Sequence, residues 1–216
     1  MVSKDKVKGR LRMSKTWQAV TQVIFLVLFI ALVLVGRIQL WMGIFLASVV
    51  LALIFGRFFC GWICPINTVM RVITKFKRKL KIKSISVPTF LKSSVFRFGF
   101  LIIFFAVFSF VMVTGKKLPV LPALFILGVG LTLFFPESLW HRYLCPYGTI
   151  LSFTGSRSKK SLHIDSENCI QCGSCFDICP GEAIREWEVH AIEKKECLLC
   201  LDCVTHCPSE RIIVYG

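Results

Sequence analysis

Apolar residues run in long unbroken stretches up to about residue 135, and only in short ones after it. The first stretch, Trp17 to Gly36, follows Lys4, Lys6, Lys8, Arg10, Arg12 and Lys15. At about 1.5 Å per residue it is long enough to cross a hydrocarbon core of about 30 Å. Arg37-Ile-Gln follows it where a cleaved signal would have small residues, so it reads as a retained helix. A second span is predicted over about Leu40–Gly56 and a third, rich in Phe, over about Val95–Val113, with Arg97 near its start placed to snorkel to the interface. A fourth, about Leu118–Phe135, is the weakest, because Pro119, Pro122, Gly128 and Gly130 interrupt it. Between the second and third spans, Ile66, Val69, Ile73, Phe76 and Leu80 recur at steps of three and four, while Arg71, Lys75, Arg78 and Lys79 fall elsewhere on the wheel. That pattern predicts an amphipathic helix over 66–83 lying on anionic lipid, ended by Ser84 to Thr89 with Pro88.

Charge sets the orientation. Of the net +15, residues 1–160 carry 23 Lys or Arg against Asp5 and Glu137, whereas residues 161–216 carry four bases against ten acids. A basic half this apolar argues against a nucleic-acid partner and for positive flanks kept on one side of a bilayer. Six bases in the N-terminal tail, nine between Arg57 and Lys92, and Arg142, Arg157, Lys159 and Lys160 oppose only Arg37 and Lys116–Lys117 on the other side. The expected protein is therefore multi-pass in the cytoplasmic (inner) membrane with both termini cytoplasmic. Its parts are a basic tail (1–16), a four-helix membrane domain (17–160) and a C-terminal domain (161–216).

The C-terminal domain carries the clearest chemistry. Cys169, Cys172, Cys175 and Cys179-Pro180 form one Cys-x2-Cys-x2-Cys-x3-Cys-Pro run, and Cys197, Cys200, Cys203 and Cys207-Pro208 form another. Such runs are the ligand sets of bacterial two-cluster ferredoxins, in which the fourth cysteine serves the other cluster. One 4Fe-4S cluster is thus assigned to Cys169, Cys172, Cys175 and Cys207, the other to Cys197, Cys200, Cys203 and Cys179. Zinc is the competing reading, but it takes isolated Cys-x2-Cys pairs. Disulfides would need an oxidising compartment. The fold class expected is an α-helical membrane protein with four transmembrane helices and an α+β two-cluster ferredoxin domain.

A weak internal repeat sits at the cytoplasmic rim. Phe59-Cys60-Gly-Trp62-Ile-Cys64-Pro65 aligns with Trp140-His141-Arg-Tyr143-Leu-Cys145-Pro146, each just after an even-numbered span. The chain so reads as two helical hairpins ending in Cys-Pro turns. An x3 spacing places Cys60 and Cys64, or His141 and Cys145, on one helical face, where they could share a metal or redox centre. If the turns meet, three thiols and one imidazole make a four-ligand set, an additional metal site beside the clusters. The bland reading is three buried small hydrophobes.

These features resemble the NapH family of membrane ferredoxin-type quinol dehydrogenase subunits, and the related NosR, MauN and CcoG types. The resemblance rests on Gly56-Arg57-x2-Cys60-Gly-x2-Cys64-Pro65, the second Cys-Pro turn, four spans and the tandem cluster motifs. It implies quinol oxidation at the membrane, with electrons passed through two 4Fe-4S clusters to another iron-sulphur or cytochrome subunit of a respiratory or amine-oxidising system. His141 departs from the pattern by replacing a Cys. No histidine (His141, His163, His190, His206) lies inside an apolar run, which argues against intramembrane haem. Quinol is expected at the rim near the turns, with Arg57, Glu137 and His141 as the polar groups that meet it. The competing functions are an assembly factor that reduces copper or a thiol through Cys60, Cys64 and Cys145, and a membrane anchor whose clusters only dock a partner.

Overall fold

The apolar runs fold as helices in the computed structural model, which describes residues 4–114, 119–165, 169–185, 190–208 and 213–215. In chain order these are α1 (Lys4–Leu34), α2 (Gln39–Phe55), a short α3 (Phe58–Trp62), α4 (Pro65–Lys79), α5 (Ser94–Thr114), α6 (Val120–Phe134) and α7 (Pro146–Ser156). The C-terminal part adds β1 (Leu162–Ile164), α8 (Ser174–Ile178), β2 (Ile184–Arg185), β3 (Ala191–Ile192), α9 (Asp202–His206) and β4 (Ile213–Tyr215). The helix begins at Lys4, so the basic segment ahead of the first apolar run is helical too. The turn expected at 115–118, with Lys116 and Lys117, lies outside the described residues.

Local chemistry sets the breaks. Gly56, with φ of 74°, ends α2. Pro65 and Pro146 each occupy the first turn of a helix, where a missing N–H costs nothing, and the cysteine before each is extended. The fourth span, expected to be broken or short, is short and unbroken: Pro119 precedes α6, Pro122 falls in its first turn, and the helix runs 15 residues to Phe134.

Two helical stretches, Ser14–Leu34 and Ser94–Val111, are long and apolar enough to cross a membrane. α2 and α6 are apolar but shorter, at 17 and 15 residues. Val23, Ile24 and Val27 on α1 and Ile102 and Ile103 on α5 are exposed, as a lipid-facing surface requires. Inside, aromatic side chains lock the helices: Phe29 on Trp41 (5.1 Å between centroids), Phe45 on Tyr147 (4.6 Å) and Phe104 on Tyr147 (5.4 Å).

α4 departs from expectation. It packs against α6 and α1 rather than lying free, and Arg71 from its polar side and Lys77 are buried. Part of its apolar stripe, Phe76 and Leu80, stays exposed.

The C-terminal part is two short antiparallel ribbons, β1 with β4 (Leu162 opposite Tyr215) and β2 with β3 (Ile184 opposite Ile192). It sits beside Lys15, next to the start of the apolar stretch of α1, where α5 begins and α2 finishes. The Lys159 and Lys160 amides bond the Leu53 and Ile54 carbonyls (3.1 and 3.0 Å), and Lys15 and Arg97 reach Asp202 and Glu196 (2.7 and 2.6 Å).

Candidate functional site

The two Cys-Pro turns meet in the interior. Cys60 lies on α3, but Cys64 caps α4 in an extended conformation, so the pair does not share a helical face as the x3 spacing suggests. Proline is the cause, since it drives the residue before it out of the helical region. The second turn differs again: residues 139–144 form a wide π-type turn before Cys145, and π turns often mark functional positions. Cys60, Cys64 and Cys145 nevertheless influence one another electrostatically. Burial pushes all three thiols up, Cys145 to about 12, and Arg57 opposes the effect at Cys60 and Cys145. Among the described residues no three His, Cys, Asp or Glu side chains gather closely enough to hold a metal ion.

Arg57 is 1% exposed and donates through its two terminal nitrogens to Glu196 Oε2 at 2.9 Å, the Lys195 carbonyl at 2.9 Å and the His141 carbonyl at 3.2 Å, while its Nε is buried without a partner. His141 is buried too. Burial, then Arg57 and Arg71, push its pKa down to about 3, so the ring is neutral. Its Nε2 lies 3.9 Å from Glu137 Oε2. Burial raises the Glu137 carboxyl, against the Thr74 hydrogen bond and Arg71 and Arg78.

In the C-terminal part the eight motif cysteines line two small cavities. Cys179, Cys197, Cys200 and Cys203 line one; Cys169, Cys172, Cys175 and Cys207 line the other. This is the crossed arrangement in which each fourth cysteine joins the other run. All are unbridged. Each loop curls through left-handed residues at matching positions, Gln171 and Gly173 in one, Leu199 and Leu201 in the other. Four thiols around each space, supplied by two Cys-x2-Cys-x2-Cys-x3-Cys-Pro runs, form a donor set that fits an iron–sulfur cage.

The first of these cavities is seated on the first Cys-Pro turn. A Cβ on Gly61 would meet the Leu198 carbonyl at 2.3 Å and the Cys200 amide at 3.3 Å, so only glycine permits the contact. Trp62 Nε1 donates to the Leu199 carbonyl (3.1 Å), while Gln18 and Gln22, one turn apart on α1, both donate to the Gly61 carbonyl (2.9 and 2.7 Å). Ion pairs surround the seat: Arg57 and Arg97 on Glu196, Lys15 and Arg71 on Asp202. On the second turn Arg142 donates to the Glu182 carbonyl and pairs with Glu193 (3.6 Å).

Comparison with known proteins decides the family. A family model described as a 4Fe-4S binding domain matches twice, over residues 38–83 and 118–164, the two stretches that carry the Cys-Pro turns; a second model of that description matches 162–185. The ferredoxin-type protein NapH of Haemophilus influenzae is 29% identical over 158 residues, covering 64% of this chain and 53% of its own. The methylamine utilization ferredoxin-type protein MauN of Methylorubrum extorquens is 29% identical over 136 residues (57% and 47%). The chain belongs to the NapH-type family of ferredoxin-like membrane proteins. An uncharacterized protein of Methanocaldococcus jannaschii is 31% identical over 138 residues (62% and 55%). This NapH-type chain spans about half the length of the curated relatives it matches. No solved structure matches it.

Of the site residues expected from sequence, Cys60, Cys64 and Cys145 come together beside Arg57, and Glu137 and His141 adjoin each other. Sequence reasoning missed Arg97, read as a snorkelling residue, together with Gln18, Gln22, Gly61, Trp62 and Glu196. Glu196 had one available signal, a lone acid immediately before the first cysteine of the second run.

Proposed function

We propose that this NapH-type protein is a four-span membrane electron carrier that takes electrons from quinol and passes them to a partner redox subunit. Two 4Fe-4S clusters would be held by Cys179, Cys197, Cys200 and Cys203, and by Cys169, Cys172, Cys175 and Cys207. When bound, each supplies a one-electron store. The observation that carries the reading is the seat: the Cys197–Cys200 loop rests on Gly61 and Trp62, the turn at the end of the membrane half. The chain's own residues fix that loop, exclude water from it and hold its flanking carboxylates in ion pairs.

Four spans and a cytoplasmic face are supported by the placement of the ferredoxin half beside Lys15 of α1, the start of α5 and the end of α2, the side where the basic residues cluster. Anionic lipid would meet the remaining bases of the α4 region. At the other thiol cavity Cys172 is exposed and Ile170 is 65% exposed, which supports it as the side for a partner subunit. A copper-handling assembly factor has the three buried turn thiols in its favour, but they are not gathered closely enough for one ion.

Anaerobic reconstitution in liposomes followed by addition of a short-chain quinol tests the reading. About eight irons per chain and quinol-driven bleaching of the cluster absorbance are expected. Zinc in place of iron, or clusters reduced by dithionite and untouched by quinol, would contradict it.

A further inference from the structure

A cleft of about 760 Å³ opens between α4, the second Cys-Pro turn and the Cys179–Pro180 corner. Its size is within the range of about 300–1,000 Å³ typical of small-molecule sites. None of the three turn thiols lines it, so it is distinct from the place where the turns meet.

The walls differ in chemistry. On one side stands Glu137, 5% exposed, whose Oε2 has no hydrogen-bond partner; the nearest imidazole nitrogen, at 3.9 Å, is too far to donate. A buried acceptor left without a donor is costly unless a ligand supplies one. Cys179 also lines the cleft, and it lines the cavity of Cys197, Cys200 and Cys203 as well. Phe176, Ile178 and Ile184 give apolar surface between them, and Ser138 a hydroxyl beside Glu137. Ile82 adds apolar surface to the lining, and it is exposed, as are Phe76, Leu80 and Ile85 of the same segment. The lining is mixed in charge: Glu137, Asp177 and Glu182 stand among five bases, of which Arg142 and Arg185 pair with Glu193, Lys77 donates to Ser84 and the Thr132 carbonyl, and Arg78 and Lys92 complete the rim.

We propose that this cleft binds the ring of a membrane hydroquinone, with Glu137 accepting a hydroxyl proton and Cys179 joining the cleft to the thiol cavity seated on the first turn. The proposal rests on the quinol reading above and gives it a place. Oxidising a hydroquinone to the quinone breaks two O–H bonds and releases two protons and two electrons. Glu137 takes one proton, water at the open mouth takes the other, and the electrons leave singly to iron–sulfur acceptors. His141 stands behind Glu137 and outside the cleft lining, as a positioning residue. Arg57, expected from sequence to meet the quinol, is committed to Glu196 and is not available.

The test uses the full chain with clusters, in liposomes, and an azido-substituted quinone as photoaffinity probe. Labelling of peptides spanning 136–143 and 176–185, competed by unlabelled quinone, is expected. Glu137→Gln should keep the label, lose about 100-fold in hydroquinone-driven cluster reduction and leave dithionite reduction intact. Ser138→Trp, which fills the cleft, should lose the label while cluster absorbance persists. Label confined to the aromatic cavity by Cys64 (Trp41, Phe59, Tyr147), or Glu137→Gln reducing at the wild-type rate, overturns the cleft and leaves the quinol reading standing. A wild-type protein that no hydroquinone reduces overturns both.

Discussion

The two thiol loops share one motif and meet two different surroundings. The Cys197–Cys203 loop lies against Gly61 and Trp62, flanked by Glu196 and Asp202, each paired to two cations from the helical half. Around the Cys169–Cys175 loop no such seat is present among the described residues; Cys172 is exposed and Ile170 stands out from the surface. A repeated motif has thus been given an inner and an outer end, and the difference lies in the partners of residues next to the cysteines. One loop is held by the helical half, and the other is the side we propose for a partner.

The comparison can be broken most severely at Gly61. Gly61→Ala drives a methyl into the Leu198 carbonyl, and we expect loss of the inner cluster, seen as iron content falling to about half with one set of EPR signals retained. Glu196→Ala comes next. It leaves Arg57 uncompensated in a site only 1% exposed, at a cost of about 3–5 kcal/mol in detergent unfolding.

Acid should act on the inner side as well. The His141 pKa in the fold, about 3, lies below its ordinary value of 6.5, so the stability it contributes is present above pH 6.5 and is lost as pH falls toward 3. Its carbonyl receives Arg57, which ties this loss to the seat. Unfolding measured from pH 7 to 4 should flatten in His141→Gln. The smallest effect belongs to the outer loop: Gly173 has φ of 74° and open space around it, so Gly173→Ala should cost only about 1 kcal/mol, with both clusters retained. Equal damage from Gly61→Ala and Gly173→Ala would erase the distinction.

Short-range features were legible in the sequence. Thiol spacing and apolar runs depend on neighbours in the chain; the crossed assignment of Cys179 and Cys207 came from the motif, and those residues line the cavities of the opposite runs. What escaped depends on contacts between distant segments. The Gly61, Leu199 and His141 carbonyls are the acceptors that build the seat, and a backbone carbonyl leaves no mark on residue type. Charge was misread for a related reason. The excess of bases spoke for orientation, and the same excess concealed that Arg57, Arg71 and Arg97 each have an acid of this chain as partner. Helical spacing misled at Cys60 and Cys64 because Pro65 breaks the helix between them.

The most direct test separates the two clusters. Cys197→Ser should remove the inner one and Cys172→Ser the outer one, and each protein is then reduced by hydroquinone or by dithionite while EPR is recorded. The account predicts that the outer cluster alone responds to dithionite and not to hydroquinone, whereas the inner cluster alone responds to both. An outer cluster that hydroquinone still reduces without its inner neighbour would contradict it.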